Sequence, residues 1–390
     1  MPFHRWYVVL VGLASVACEP SRSVSTSGPT ILDSANVTLV VYESWNAPLY
    51  EFDPVPLVSI GKVAEEGPEL LDRVTGGTRL SDERIVVLNG GDATVRVFSA
   101  AGQHLFTAGG SGDGPGEYRR PMVTWEVGDG FSVWDFQAQR VTALDSAGHV
   151  RYTTNVPGIN SPNMLAVDGD RGFIISSDDF EFSGDGVLEA QFTTPYYVDT
   201  GGAIRDTLPR LVFGYFGVHG RQMYNAVPLV RGRFAGRANA FWYGPNSAPE
   251  LQRYSLRGDL ERIVRWSRGD ARPTAADVRA LAEELTRRLP PARRTRTEQE
   301  LLSSPLADFF PAHGELRVDA ADALWMEQYR RPGSTDPDTW FVLDARGVLQ
   351  GRFVRPDSVR ILDSGSNWLL GVTTDSMGVE FVHLFSLVRR

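Results

Sequence analysis

Cysteine is nearly missing: Cys18 is the only one in 390 residues. A disulfide within the chain is excluded, and so is any cysteine-rich metal site. Lysine is as scarce, with Lys62 the single lysine among 39 basic residues, and the net charge is −9. An acidic chain without an extended basic block cannot neutralise a phosphate backbone, which excludes nucleic acid as a partner. No apolar run reaches the length that spans a bilayer as a helix. The GxSxG, HExxH and GxxxxGK patterns are absent. The six histidines (His4, His104, His149, His219, His313 and His383) stand far apart, none paired at ligand spacing. The acidic stretch at 178–189 has Gly184 where a calcium loop wants glycine, but Ala190 where it needs Glu, so it reads as a solvated hairpin excursion. No catalytic residue, cofactor or metal site is read from the sequence.

What is present begins at the N-terminus. His4 and Arg5 precede an apolar run at 8–17, and Ser15 and Ala17 place small residues at −3 and −1 before Cys18. This outline is an export signal covering residues 1–17. It resembles the bacterial lipoprotein signal, which implies acylation of Cys18. Ser15 stands where that family carries a large aliphatic residue, and plain signal-peptidase cleavage at the same bond is the alternative. Glu19 follows the cysteine in place of the Asp that resembles an inner-membrane retention signal, which points to the outer membrane or periplasm. Residues 18–35, rich in Ser, Thr, Pro and Gly, read as a flexible tether.

A turn pattern then repeats: an apolar residue, Asp or Ser, two variable residues, Gly. Its copies are Phe98-Ser99-Ala100-Ala101-Gly102, Leu144-Asp145-Ser146-Ala147-Gly148, Val198-Asp199-Thr200-Gly201-Gly202, Tyr254-Ser255-Leu256-Arg257-Gly258 and Leu343-Asp344-Ala345-Arg346-Gly347. Asp and Ser start turns through side-chain hydrogen bonds to the backbone, and Gly supplies φ > 0. The glycines fall 46, 54, 56 and 89 residues apart, a spacing that fits propeller blades interrupted once. Trp134, Trp242, Trp325 and Trp368 recur in phase as core aromatics of the second strands. The pattern predicts an all-β, six-bladed propeller over 36–390, with units near 73–109, 122–156, 162–208, 224–266, 314–354 and 357–390. The last unit holds three strands, and residues 56–62 supply its fourth, closing the ring and removing an open edge. The run at 36–42 adds to an edge that the sequence does not identify.

Between the fourth and fifth units the period becomes helical. Thr274 and Asp277 form an N-cap, Val278, Leu281, Leu285 and Leu289 make the apolar stripe, Glu283–Arg287 and Glu284–Arg288 are i,i+4 pairs on the other face, and Pro290-Pro291 ends the helix. A second short helix is predicted from Thr297, within an insertion at about 273–305.

The loop between the first two units reads Gly112-Asp113-Gly114-Pro115-Gly116-Glu117-Tyr118-Arg119-Arg120-Pro121, with an eroded copy at Gly67-Pro68-Glu69-Leu70. It resembles the GxGPGEF…P signature of the bacterial six-bladed β-propeller lipoproteins, which are similar to NHL-repeat propellers. The resemblance implies the fold and leaves the activity open. Glu117, Tyr118, Arg119 and Arg120 are the candidate ligand contacts at a channel mouth, with bracing of neighbouring blades as their alternative role. The expected function is a non-catalytic, monomeric binding propeller of the cell envelope that presents loops to a protein, peptide or glycan. The rival expectation is an enzyme of gluconolactonase-like or lyase type holding a divalent metal in the channel. A purely architectural envelope role is a third.

Overall fold

The computed structural model describes residues 28–389 apart from 35, 64, 65, 157, 160–162, 239, 268, 270 and 288. The export signal, Cys18 and most of the tether lie outside the described residues, as does Arg288.

The chain opens with β1 (Thr30–Ser34), β2 (Val37–Tyr42), β3 (Leu49–Phe52) and β4 (Val58–Ile60). Successive four-stranded antiparallel runs follow. The first holds β5 (Val74–Arg79), β6 (Ile85–Asn89), β7 (Thr94–Phe98) and β8 (His104–Gly109). The second holds β9 (Pro121–Val127), β10 (Gly130–Asp135), β11 (Arg140–Leu144) and β12 (Val150–Asn155). The third holds β13 (Asn163–Asp168), β14 (Gly172–Asp179), the long β15 (Glu189–Asp199) and β16 (Ile204–Thr207). A hairpin of β17 (Leu211–His219) and β18 (Gln222–Asn225) then pairs onto the free half of β15. The fourth run holds β19 (Arg233–Arg237), β20 (Ala240–Gly244), β21 (Glu250–Ser255) and β22 (Leu260–Trp266). Helices α1 (Ala275–Thr286) and α2 (Pro291–Ser303) come next. The fifth run holds β23 (Leu316–Val318), β24 (Leu324–Glu327), β25 (Thr339–Leu343) and β26 (Leu349–Val354). β27 (Arg360–Ser364), β28 (Trp368–Thr374) and β29 (Glu380–Arg389) end the chain. The architecture is an all-β propeller of curled sheets.

The turn motif builds the outer hairpin of each run in one way. In the second run, Asp145 Oδ1 accepts from the N–H groups of Ala147 (2.9 Å) and His149 (2.8 Å), and Gly148 N–H donates to Asp145 O. Asp199 and Asp344 do the same, and Ser99 and Ser255 use their hydroxyls. The turn glycine is needed twice over. Gly102 has φ 79°, and a Cβ there would lie 2.8 Å from Val58 Cγ1 on the neighbouring strand.

Each core lies between two runs rather than inside one, because a single sheet has two apolar faces and nothing of its own to cover them. Strands β6 and β7 are buried along their whole length. Val86, Leu88, Val95 and Val97 of the first run meet Phe131, Val133 and Leu144 of the second. Comparable clusters join second to third, third to fourth, fourth to fifth, and fifth to the final strands. A last cluster returns to the start, with Val372, Val382 and Leu384 against Val74, Ile85 and Phe98. There β4 pairs antiparallel with β29, in the register Ile60↔Val382, Ser59↔His383 and Val58↔Leu384.

The structure also departs from the sequence reading. The run at 36–42 finds its edge as β2, parallel to β22, with β1 outside it. Strand β3, which the pattern did not announce, pairs with both β26 and β29. The fourth run starts at Arg233, since the residues around 224 belong to the β17–β18 hairpin. Helix α2 begins at Pro291 and not at Thr297. Proline's fixed φ suits a first helical turn, where its missing N–H would have no partner, so the prolines that stop α1 also start α2. Thr274 and Asp277 form a reciprocal capping box on α1. Glu284 does not sit idle on the outer face: its Oε1 accepts from Gly333 N–H at 2.7 Å.

Ile60 is 2% exposed at the β4–β29 seam. Ile60→Ala should lower stability by about 2–5 kcal/mol through the cavity it leaves. Urea unfolding followed by tryptophan fluorescence reads this, and an unchanged midpoint would show that the seam adds nothing.

Candidate functional site

The innermost strands of the runs line a narrow central cavity of about 160 Å³. Thr78 on β5, Thr124 on β9, Ala166 on β13, Arg237 on β19, Val318 on β23 and Asp363 on β27 all face it. Glycine allows the strands this close: a Cβ on Gly236 would meet Ala166 Cβ at 2.5 Å, and one on Gly76 would meet Met122 O at 2.7 Å.

Asp363 organises the polar side of the cavity. Its Oδ2 accepts from Thr78 Oγ1 at 2.6 Å and from Arg79 N–H at 3.2 Å. Its Oδ1 accepts from Ser364 N–H at 2.9 Å and faces Arg237 Nη1 at 3.1 Å. The carboxylate thus joins the first run, the fourth run and the chain's last strands at one point. Charge-assisted bonds of this kind, in a site shielded from water, are the strong ones.

The cavity opens into a basin of about 380 Å³ at the far end of these strands, beside the turns that follow them. Arg79, Trp125, Glu126, Arg237 and Trp368 line it. Arg79 pairs with Glu83 at 2.6 Å, and its guanidinium lies 5.3 Å from the centre of the Trp368 ring. Glu126 accepts from Ser81 Oγ at 2.5 Å and from Ser81 N–H at 3.0 Å. Trp368 is therefore not a core residue like Trp134, Trp242 and Trp325, which are fully buried. Among the described residues no group of three or more His, Cys, Asp or Glu side chains is placed to hold a metal ion.

The four residues singled out in the motif loop lie elsewhere. The loop precedes β9, whereas the basin sits beside Trp125 and Glu126 near that strand's end. None of the four lines the cavity or the basin. Tyr118 is fully buried among Val86, Val97 and Phe131 and offers a ligand no surface; burial raises its phenol pKa. A Cβ on Gly109 would lie 2.6 Å from the Tyr118 ring. Glu117 Oε2 accepts from Gly114 N–H at 2.7 Å. Arg119 is exposed and paired with Asp113 at 2.5 Å, which holds the Asp113 carboxyl below the usual range. The Arg120 guanidinium covers the Phe136 ring at 5.4 Å.

Two side chains missed in the sequence hold this loop. Arg140 on β11 donates to the carbonyls of Asp113 (2.8 Å), Gly114 (3.1 Å) and Glu117. Asp135, fully buried, accepts from the N–H groups of Arg119, Arg120, Gln137 and Ala138. In the eroded copy, Arg96 on β7 likewise donates to Pro68 O (2.9 Å) and Leu70 O. An Asp or Asn ending a second strand, followed by an Arg in the third, was the available signal.

A separate buried group bears on pH. His313 is fully enclosed, with Nδ1 2.9 Å from Gly314 O and no partner for Nε2 among the described residues. Burial pulls its pKa down to about 4.

No described protein family matches the chain, and no curated protein does. Among solved structures, a Bacteroides fragilis protein described by name as exported shares 9% identity. That alignment covers 90% of this chain and 99% of the other at a TM-score of 0.51. A DUF4221 protein of Bacteroides vulgatus shares 10%, covering 88% and 100% at 0.49. The virginiamycin B lyase of Staphylococcus aureus shares 10%, covering 84% and 83% at 0.40. The first likeness speaks for the propeller fold alone.

Two outcomes follow from these contacts. Asp363→Ala leaves Arg237 without its carboxylate and should destabilise the chain by about 3–5 kcal/mol, read by urea unfolding; a loss below 1 kcal/mol would mean that the cavity network is ornamental. For His313, the unfolded state takes up a proton near pH 6.5 and the folded state only near pH 4. The stability that His313 contributes should therefore fall as pH drops from about 6.5 to about 4, by up to about 3 kcal/mol, and change no further below that. His313→Gln should remove that slope, and an unchanged slope in this variant would assign it to other groups.

Proposed function

We propose that this chain is a non-catalytic binding module of the cell envelope, built as a closed six-bladed propeller that meets its ligand at the basin over the central cavity. In this reading residues 1–17 direct export, Cys18 carries the lipid anchor, and residues 18–35 form the tether. The ring reading is supported by the cores between successive runs, by the β4–β29 pairing, and by a cavity that draws on every innermost strand. In the same reading the insertion with α1 and α2 belongs between the fourth and fifth blades, and the loop with Glu117, Tyr118, Arg119 and Arg120 is a brace between the first two.

The observation that carries the binding reading is the pairing of the basin's own charges. Arg79 is engaged by Glu83, Glu126 by Ser81, and Arg237 by Asp363. These groups are held by one another, and what they leave to a ligand is shape, the Trp368 ring and the rims of two guanidinium groups. Such a surface offers a ligand an aromatic face and guanidinium contacts. Aromatic side chains with arginine are the residues that most often anchor a bound partner.

Arrays of envelope glycans and peptides, probed with the purified mature chain, should reveal a ligand whose binding falls at least about tenfold in Trp368→Ala or Arg79→Ala. Turnover of lactone and glycan substrates should stay at background, with or without added divalent metal. Turnover that requires metal and is lost with a cavity residue would overturn the proposal.

A further inference from the structure

A second concave surface lies away from the axis, between the fourth and fifth runs, at the end of the sheets that carries the helices. It has two lobes. One, of about 500 Å³, is lined by Trp45, Trp266, Phe310, Tyr329, Phe341 and Arg331. The other, of about 480 Å³, shares Trp45, Gln328 and Phe341 with the first and ends at Arg352. The two lobes thus adjoin across Trp45, Gln328 and Phe341.

Its walls are fixed. Trp45 is clamped between Tyr42 and Phe341, with ring centres 4.7 Å and 4.9 Å away, so that its edge faces the cleft. Trp266 meets it edge-on at 5.5 Å. Phe310 carries Tyr329 on one side at 6.1 Å and the Arg331 guanidinium at 4.7 Å. The segment bearing Tyr329 and Arg331 is tied to α1 by the bond from Gly333 N–H to Glu284. Packing of this kind prepares a surface before any ligand arrives, and a ligand then need not order it.

The charged side chains that line this surface are both basic. The whole chain is at −9, yet neither lobe is lined by an Asp or a Glu. The two charged side chains that line it, Arg331 and Arg352, are both exposed and in no salt bridge among the described residues, while Asp277 on α1 lies near enough for its carboxyl to feel the charge of Arg331. An aromatic wall flanked at both ends by exposed guanidinium groups complements a ligand with ring faces in the middle and carboxylates at its ends.

We infer that this cleft binds an acidic oligosaccharide of uronic-acid type, its sugar rings against Trp266 and Tyr329 and its carboxylates on Arg331 and Arg352. Two parallel N–H···O bonds from a guanidinium fit a carboxylate. The aliphatic face of a pyranose suits an aromatic wall, and the length of the double cleft suits more than one ring. The inference does not rest on the basin over the central cavity, which lies at the other end of the innermost strands.

The test uses the full mature chain, with a galacturonic acid trimer as probe, followed by calorimetry and tryptophan fluorescence. The acidic trimer should bind, and a neutral galactose trimer should bind at least about tenfold more weakly. Raising the salt should weaken the acidic probe. Arg331→Gln and Arg352→Gln, both at exposed positions, should each cost about tenfold, the loss of one charge-assisted contact. Trp368→Ala should leave this binding unchanged, which separates the cleft from the basin. Equal binding of neutral and acidic trimers, undiminished binding in both arginine variants, or no binding of the acidic trimer would overturn the inference. Tighter binding of an acidic peptide of matched charge would also overturn it and make the cleft a peptide site.

Discussion

The seam between β4 and β29 is the constraint on which the remaining geometry depends. It joins residues 58–60 to residues 382–384, so the two ends of the described chain form a single sheet. Its direct contribution is small: three paired residues and the side chain of Ile60. Its consequence is large, because it fixes β27 beside β5 and so brings Asp363 within 2.6 Å of Thr78. These residues stand 285 positions apart. No local preference could bring them together, and the cavity network exists only if the ends meet. β3 extends the seam by pairing with β29 on one side and β26 on the other. The closing strands are therefore held from two directions, and neither edge of β29 is open along its length to recruit another chain.

With closure in place, each sheet is stabilised by its neighbours and not by its own interior. Val86 and Leu88 face the second run, while Ile85 and Val87 face the chain's last strands. One strand thus contributes alternate side chains to two cores, as the two-residue period of a strand requires. Loss of one apolar side chain is felt at a boundary between runs. The turn glycines serve the same boundary. A Cβ on Gly347 would strike Val264, and one on Gly148 would strike Phe106, each on the outermost strand of the preceding run. The outer hairpins are thereby seated against their neighbours, and the glycine that permits the turn also permits the contact.

The parts of this arrangement that were legible in the sequence are those written in adjacent residues. The Asp/Ser-x-x-Gly turns could be found because one side chain and one glycine, three positions apart, make the hydrogen bonds. The capping box on α1 could be found for the same reason. Residues 56–62 could be assigned to the last sheet because three strands there lacked a fourth. Other features have no such local mark. β3 is four residues long and follows a proline, and its pairing to two distant strands leaves no pattern in its own sequence. The β17–β18 hairpin has alternating residues like any strand pair, so its membership in the third sheet was invisible. The start of α2 has no mark of its own, because Pro290-Pro291 both stops α1 and opens α2.

The candidate site was the least legible part, and the reason is physical. A brace works through backbone groups at fixed separation, as in Arg140 reaching three carbonyls within residues 113–117. That requirement imprints a compact motif, rich in glycine and proline, which draws the eye. A recognition surface on a propeller has the opposite character. Arg79, Trp125, Arg237 and Trp368 come from four different parts of the chain. Trp45, Trp266, Tyr329 and Arg352 in the second cleft are scattered as widely. Nothing requires such residues to be near one another in the chain, because closure of the sheets supplies the proximity. The strongest motif in this sequence therefore marks where the scaffold is held, and the surfaces suited to recognition are assembled from residues that carry no motif at all.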